Sequence, residues 1–283
     1  MRAAPLALLL ALGAAHAQTA EAPDGVRVWV GGAASDLGAV VDMASQADVV
    51  FLGEIHNDSL GHLVEAEVLR ALHARVGARR PVVLALEMVE TDVQLVLDEY
   101  LAGLVSERDW LAASRPWTNY ADYRPLVEYA RAHGLPVVAT NAPTRYVRLV
   151  ARRPHALDSL SAEARRWLPP AVAPPSPALA DKFTALMGGM SHGGGPSVEG
   201  MLAAQNLRDA TMAWRIADAL GAHRGALVVH VNGSFHSEGG LGIPEHLARL
   251  APRARTLVVT MGPGVTPGAS TGHDIVVSTP EAD

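Results

Sequence analysis

Cysteine is absent from the 283 residues. That excludes a disulfide framework, a lipid-modified cysteine behind a leader, a zinc–thiolate centre and a C-x-x-C-H haem attachment. Any porphyrin would be held without a thioether bond, and any metal by His, carboxylate, Tyr or Met. Lysine is almost absent too: Lys182 stands alone among 23 basic residues. An excess of positive charge is also missing, because the formal net charge is −6. Such a chain lacks the basic footprint that nucleic acid requires. No apolar run reaches 18 residues, so no transmembrane helix is expected.

What is present begins with an export signature. Arg2 is followed by an apolar run over 6–12 and then by Ala15, His16 and Ala17. A short basic start, an apolar centre and an A-x-A site describe a secretory signal peptide. The expectation is cleavage near Ala17 and a soluble, periplasmic or secreted product that carries no lipid anchor.

Residues 18–283 read as one α/β domain. Short apolar runs rich in β-branched residues predict buried strands over 48–53, 81–86, 136–140, 226–231 and 256–261. Alternation predicts a further short strand over 26–30, and 275–278 reads as an edge strand. Helical patterns fall over 37–44, 60–76 and 93–104, with Leu63, Leu69 and Leu72 on one stripe. Strands alternating with helices predict a mostly parallel β-sheet flanked by helices. The rhythm breaks over about 142–220, where only helical patterns occur. A Pro-rich joint over 168–177 and a Gly-rich stretch over 188–196 interrupt them. This segment reads as a helical insertion, a lid or subdomain over one edge of the sheet.

Ligands of open α/β sheets bind beyond the carboxyl ends of the strands, so the residues following each strand are the candidates. Gly53 is followed by Glu54 and His56, which project to one side of an extended chain. Glu87 follows the run Val-Leu-Ala-Leu, where a buried carboxylate must be paired or protonated. Its other reading is a helix cap. Asn141 and Arg145 follow the next strand, and either could serve a ligand or the protein surface. His230 lies inside the fourth long strand, as a core histidine would, and His236 follows it beyond a Gly-Ser turn. His62, in the first turns of the next helix, faces either the pocket or solvent. Carboxylates and imidazoles together suit a divalent metal ion or proton transfer. Glu54, His56, Glu87 and His236 are therefore expected to meet as a catalytic or metal-binding set. In the insertion, Met187, Met190 and His192 could face a large apolar ligand. Tyr120 and Tyr123, beside Trp117, form the one aromatic-rich stretch.

The motifs VVFLGEIHND, LALEM, AAQNLRDATMA and VNGSFHSEGGLGIPEHL, in that order, resemble the ChaN-like haem-binding uptake family, a branch of the Tiki, TraB and erythromycin-esterase superfamily. The likeness runs from about 48 to 262. It implies an α/β sheet with a helical insertion, non-covalent haem bound for iron uptake, and a metal or acid–base site at Glu54, His56, Glu87 and His236. His192, Met187, Met190, Tyr120, Tyr123 and Arg145 are the expected cofactor-binding residues. The family's haem-ligating tyrosine has no distinctive counterpart here. An outer-membrane receptor or a second copy of the chain is the expected kind of partner. Three functions stay open: a haem or iron-porphyrin carrier; a metal-dependent or His/Glu acid–base hydrolase; and a scaffold whose old catalytic residues only bond one another.

Overall fold

A computed structural model describes residues 20–187, 195–268 and 275–281. The expected signal peptide, Met190 and His192 lie outside the described residues. The chain opens with a hairpin of β1 (Arg27–Val30) and β2 (Ala33–Ser35), followed by α1 (Leu37–Ala44). Next come β3 (Val49–Glu54), α2 (Ser59–Val76) and β4 (Val82–Glu90). Three helices follow: α3 (Gln94–Leu101), α4 (Glu107–Ser114) and α5 (Tyr120–His133). After β5 (Val137–Asn141) the chain is helical through α6 (Thr144–Arg152), α7 (Ala162–Arg165), α8 (Pro177–Met187) and α9 (Val198–Ala222). It closes with β6 (Leu227–Gly233), α10 (Ile243–Leu250), β7 (Thr256–Pro263) and β8 (Ile275–Thr279).

The eight strands form one sheet in the order β2-β1-β8-β7-β3-β6-β4-β5. All pairings from β8 to β5 are parallel, and only the N-terminal hairpin runs antiparallel. The fold is thus α/β with a mostly parallel sheet. The central strands β3, β6 and β4 are buried along both faces, which is why each reads as an unbroken apolar run. One face is covered by α1, α2 and α5, with Val68, Leu69, Leu72 and Leu126 against Leu52, Leu84 and Val229. The other is covered by α9 and α10, with Met212, Ile216 and Leu247 against Phe51, Val83 and Val228.

Four expectations are revised. The strand at 275–278 is not an edge: β8 lies between β7 and β1, because the hairpin adds outside it. Leu63 is 53% exposed; the buried stripe of α2 is Val64, Val68, Leu69, Leu72 and Val76. Glu87 does not follow a strand but sits inside β4, where the register against β5 shifts between Leu86 and Glu90. The segment over 142–220 does not lie only at the sheet edge, since the C-terminal half of α9 packs across β3, β4 and β6.

Candidate functional site

β6 lies between β3 and β4, so the carboxyl ends of these three strands are neighbours even though β6 begins only at Leu227, far along the chain from Glu54 and Glu90. Glu54 ends β3, Glu87 lies late in β4, and Gly233 ends β6 just before the turn that carries His236. The topology therefore gathers Glu54, His56, Glu87 and His236 at one place.

The four meet as two hydrogen-bonded halves on either side of Gly233. In the first half, Glu54 is buried and its Oε1 accepts from Tyr123 Oη at 2.7 Å and from His56 Nδ1 at 2.7 Å. With Nδ1 donating, the His56 Nε2 edge is left to face the site, and the His56 side chain is 42% exposed. The hydrogen bond to Glu54 is the main cause that raises the His56 pKa. Trp117 packs edge-on against His56 at 4.8 Å between ring centroids. Burial, with the Glu54 charge beside it, pushes the Tyr123 hydroxyl up, so it remains a donor.

In the second half, His236 Nδ1 bonds Asp209 Oδ1, and its Nε2 lies 3.3 Å from Glu87 Oε1 and 3.0 Å from Gln205 Nε2. Burial alone would make this imidazole less basic. The Glu87 and Asp209 carboxylates outweigh it and raise the His236 pKa to about 10. Burial likewise works against an ionised Glu87, but His236 and the Gly233 N–H, which donates to Glu87 Oε2 at 2.8 Å, hold it down at about 2. The result is a buried imidazolium–carboxylate pair beside a solvent-reachable imidazole.

Glycine is required where the halves touch. A Cβ on Gly233 would lie 2.8 Å from His56 Cε1 and 3.0 Å from His56 Nε2. On Gly53 it would lie 2.9 Å from Ser237 Oγ and 3.1 Å from the Ser234 backbone.

A third layer lies beneath Glu54. His62 is buried and faces inward: its Nδ1 is 3.0 Å from Glu54 Oε2 and 3.2 Å from Glu65 Oε2. Only the contact with Glu65 has hydrogen-bond geometry, which leaves Glu54 Oε2 with no donor. Burial pushes the Glu65 carboxyl up to about 8. Among the described residues, it is Glu54, His62 and Glu65 whose ligand atoms lie within 4.8 Å of one another. His230, by contrast, is a satisfied core histidine between Thr140 Oγ1 and Asn232 Oδ1, and burial lowers its pKa to about 4.

The other candidates sit elsewhere. Tyr120 packs edge-on against Trp110, with its hydroxyl 3.5 Å from Glu107. Arg145 pairs with Asp92 and lies over the Tyr146 ring, and Asn141 accepts from Arg208 at 2.9 Å. Met187 ends α8, half-buried. That helix is tied to the site by the lone lysine: Lys182 Nζ reaches Phe235 O at 3.3 Å and Glu238 Oε2 at 3.2 Å, over the Phe235 ring. Sequence reasoning missed Glu65 and Asp209. The available signal was their position. Glu65 precedes Val68 and Leu69 by three and four residues, and Asp209 precedes Met212 and Ala213 in the same way. Each is a carboxylate set on the apolar stripe of a helix.

The chain matches the family model described as "Haem-binding uptake, Tiki superfamily, ChaN" over residues 40–247. By overall structure it is similar to ChaN of Campylobacter jejuni, solved with cofacial haem. The TM-score is 0.68 at 17% identity, covering 90% of this chain and 96% of that one. An erythromycin esterase mutant in its open conformation superposes more loosely, with a TM-score of 0.45 at 14% identity over 85% of this chain and 78% of that one. Among curated proteins it is similar to RETICULATA-RELATED 5, a chloroplastic protein of Arabidopsis thaliana, at 28% identity over 236 residues. That match takes in 77% of this chain and 31% of the plant protein, so the chain spans about a third of that relative's length.

Proposed function

We propose, from the premise that this chain belongs to the ChaN haem-binding uptake family of the Tiki superfamily, that it is an exported carrier of non-covalent haem serving iron uptake. The observation that carries the reading, beside the family match, is a cavity of about 660 Å³ in the helical insertion. It lies between α6, the Pro-rich joint and the N-terminal half of α9, and Val150, Leu157, Val172, Leu202 and Leu207 give it apolar walls. Its volume falls in the roughly 300–1,000 Å³ range of small-molecule sites. Arg165 lines it with a buried Nη1 that has no hydrogen-bond partner, which fits a porphyrin propionate. His155 stands exposed at its rim.

Tyr123, Tyr120 and Arg145 are engaged in protein contacts. We look to the insertion for the axial ligand: His155, or the expected His192 with Met187 and Met190. Hemin titration tests this. The wild-type chain should give a saturable Soret shift at micromolar hemin, and the combined substitution of His155 and His192 by Ala should remove it. A wild-type chain with no saturable shift overturns the reading.

A second reading is favoured by the two imidazoles flanking Gly233: an acid–base hydrolase. His56, oriented by Glu54, presents its Nε2 as general base, and the charged His236–Glu87 pair supplies a fixed field at the reacting atoms. A panel of ester and amide substrates should reveal turnover that His56→Ala lowers by 10²-fold or more, roughly the contribution of a positioned base. Turnover unaffected by His56→Ala ends this second reading.

A further inference from the structure

We propose that Glu54, His62 and Glu65 form a buried site for one divalent first-row transition ion, held between His62 Nδ1 and the two carboxylates. The hydrogen-bond pattern around His62 points to it. His62 Nε2 lies 3.1 Å from the carbonyl oxygen of His56. A carbonyl only accepts, so Nε2 carries a proton, and Nδ1 is the nitrogen turned toward the carboxylates, where a bound ion would take the place of its proton. Histidine ligands of metal ions are held in this way, one nitrogen on the ion and the other donating to a backbone carbonyl or carboxylate.

Glu54 is oriented in a matching way. Its Oε1 takes both available donors, Tyr123 Oη and His56 Nδ1. Its Oε2 takes none and lies 3.0 Å from His62 Nδ1. Glu65 Oε2 lies 3.2 Å from the same nitrogen, and Glu65 Oε1 has no partner at all. All three side chains are at least 97% buried. Two donorless carboxylate oxygens in the core are costly. Ligand atoms around an ion at about 2.0–2.2 Å stand roughly 3.0–3.5 Å apart, and the two distances from His62 Nδ1 fall in that range. A divalent ion with two carboxylates and one neutral imidazole sums to zero charge, as a buried cluster requires. Nitrogen and oxygen donors without sulfur suit zinc, manganese or ferrous iron.

The ion would lie on the Oε2 side of Glu54, behind the half-exposed His56 ring, and not among His56, Glu87 and His236. Bound there it would lock the orientation of Glu54, and through Glu54 that of His56.

The test uses the full chain, purified haem-free and loaded with zinc or manganese. The expected result is about one ion per chain, a rise in Tm on loading, its reversal by a chelator, and X-ray absorption showing a single imidazole in the ion's shell. His62→Ala and the near-isosteric Glu65→Gln should lose the ion, while His56→Ala and His236→Ala keep it. Failure of wild-type protein to retain zinc or manganese overturns the proposal. So does a shell with two imidazoles, or loss of the ion in His56→Ala or His236→Ala, either of which moves it to the outer set. The wild-type absorption spectrum decides even where His62→Ala fails to fold.

Discussion

The residue that makes the two halves of the site one is Gly233. Its missing Cβ leaves room for the His56 ring, and its N–H donates to Glu87. In Gly233→Ala the methyl would meet His56 Cε1 at 2.8 Å and Nε2 at 3.0 Å. The His56 side chain is 42% exposed and can swing away. The stability loss should therefore stay near the low end of the roughly 1–3 kcal/mol typical of overpacking. The larger effect is electrostatic. His56 titrates high chiefly because Nδ1 is bonded to Glu54, and a displaced ring gives up that bond. Proton NMR titration of the His56 ring should show its pKa falling toward 6.5 in Gly233→Ala. An unchanged value means that the ring is not held by this contact. At this scale the sequence was informative where chemistry followed a strand, as at Glu54, His56 and His236. It was less so on helices. His62 could be read either way, because a periodicity does not say which neighbour closes over the first turn. Glu65 and Asp209 stand on the apolar stripes of their helices, but only the fold brings them to His62 and His236.

At the scale of elements, the long parallel strands were legible because each is buried on both faces and must be apolar throughout. β2 was not, since three exposed residues, Ala-Ala-Ser, carry no hydrophobic period. The position of β8 in the sheet was not legible either, because it depends on a hairpin almost 250 residues upstream that pairs outside it. The insertion shows the same limit in a different form. Its helices were evident from composition and pattern, but α9 does two jobs. Its N-terminal half faces the cavity with Leu202 and Leu207, and its C-terminal half covers the sheet with Met212 and Ile216. Between them it carries Gln205 and Asp209 to His236. A single helix thus spans the proposed haem cleft and the imidazole pair, and a ligand that shifts its N-terminal half would be felt at His236.

At the scale of the whole molecule, the buried histidines set how stability depends on pH. His230 is held neutral by burial, with a folded pKa of about 4 against 6.5. The unfolded chain therefore binds more protons between these values, and stability falls as pH drops from about 6.5 to 4. Glu87 is held ionised at about 2 against 4.5. Its contribution is present above 4.5 and lost as pH falls toward 2. His236 has the opposite sign. Its folded pKa of about 10 lies above 6.5, so its contribution is complete below 6.5 and is lost as pH rises through about 10. A tenfold difference in proton affinity between the folded and unfolded chain corresponds to about 1.4 kcal/mol. Glu65, held up at about 8 against 4.5, offsets the His230 limb between about 4.5 and 6.5, and His62, held up at about 9, adds to the alkaline fall of His236, so stability is nearly level from about pH 4.5 to 6.5 and declines on either side. Urea unfolding from about pH 3 to 10 should show a midpoint that is nearly level between about 4.5 and 6.5 and falls on both sides. Asp209→Asn removes one of the two carboxylates that keep His236 charged, and should bring the alkaline fall to lower pH while leaving the acid limb in place. A midpoint that stays level or rises from about pH 7 to 9 in the wild-type chain would show that His236 is not a buried imidazolium, and the charged pair with Glu87 would go with it.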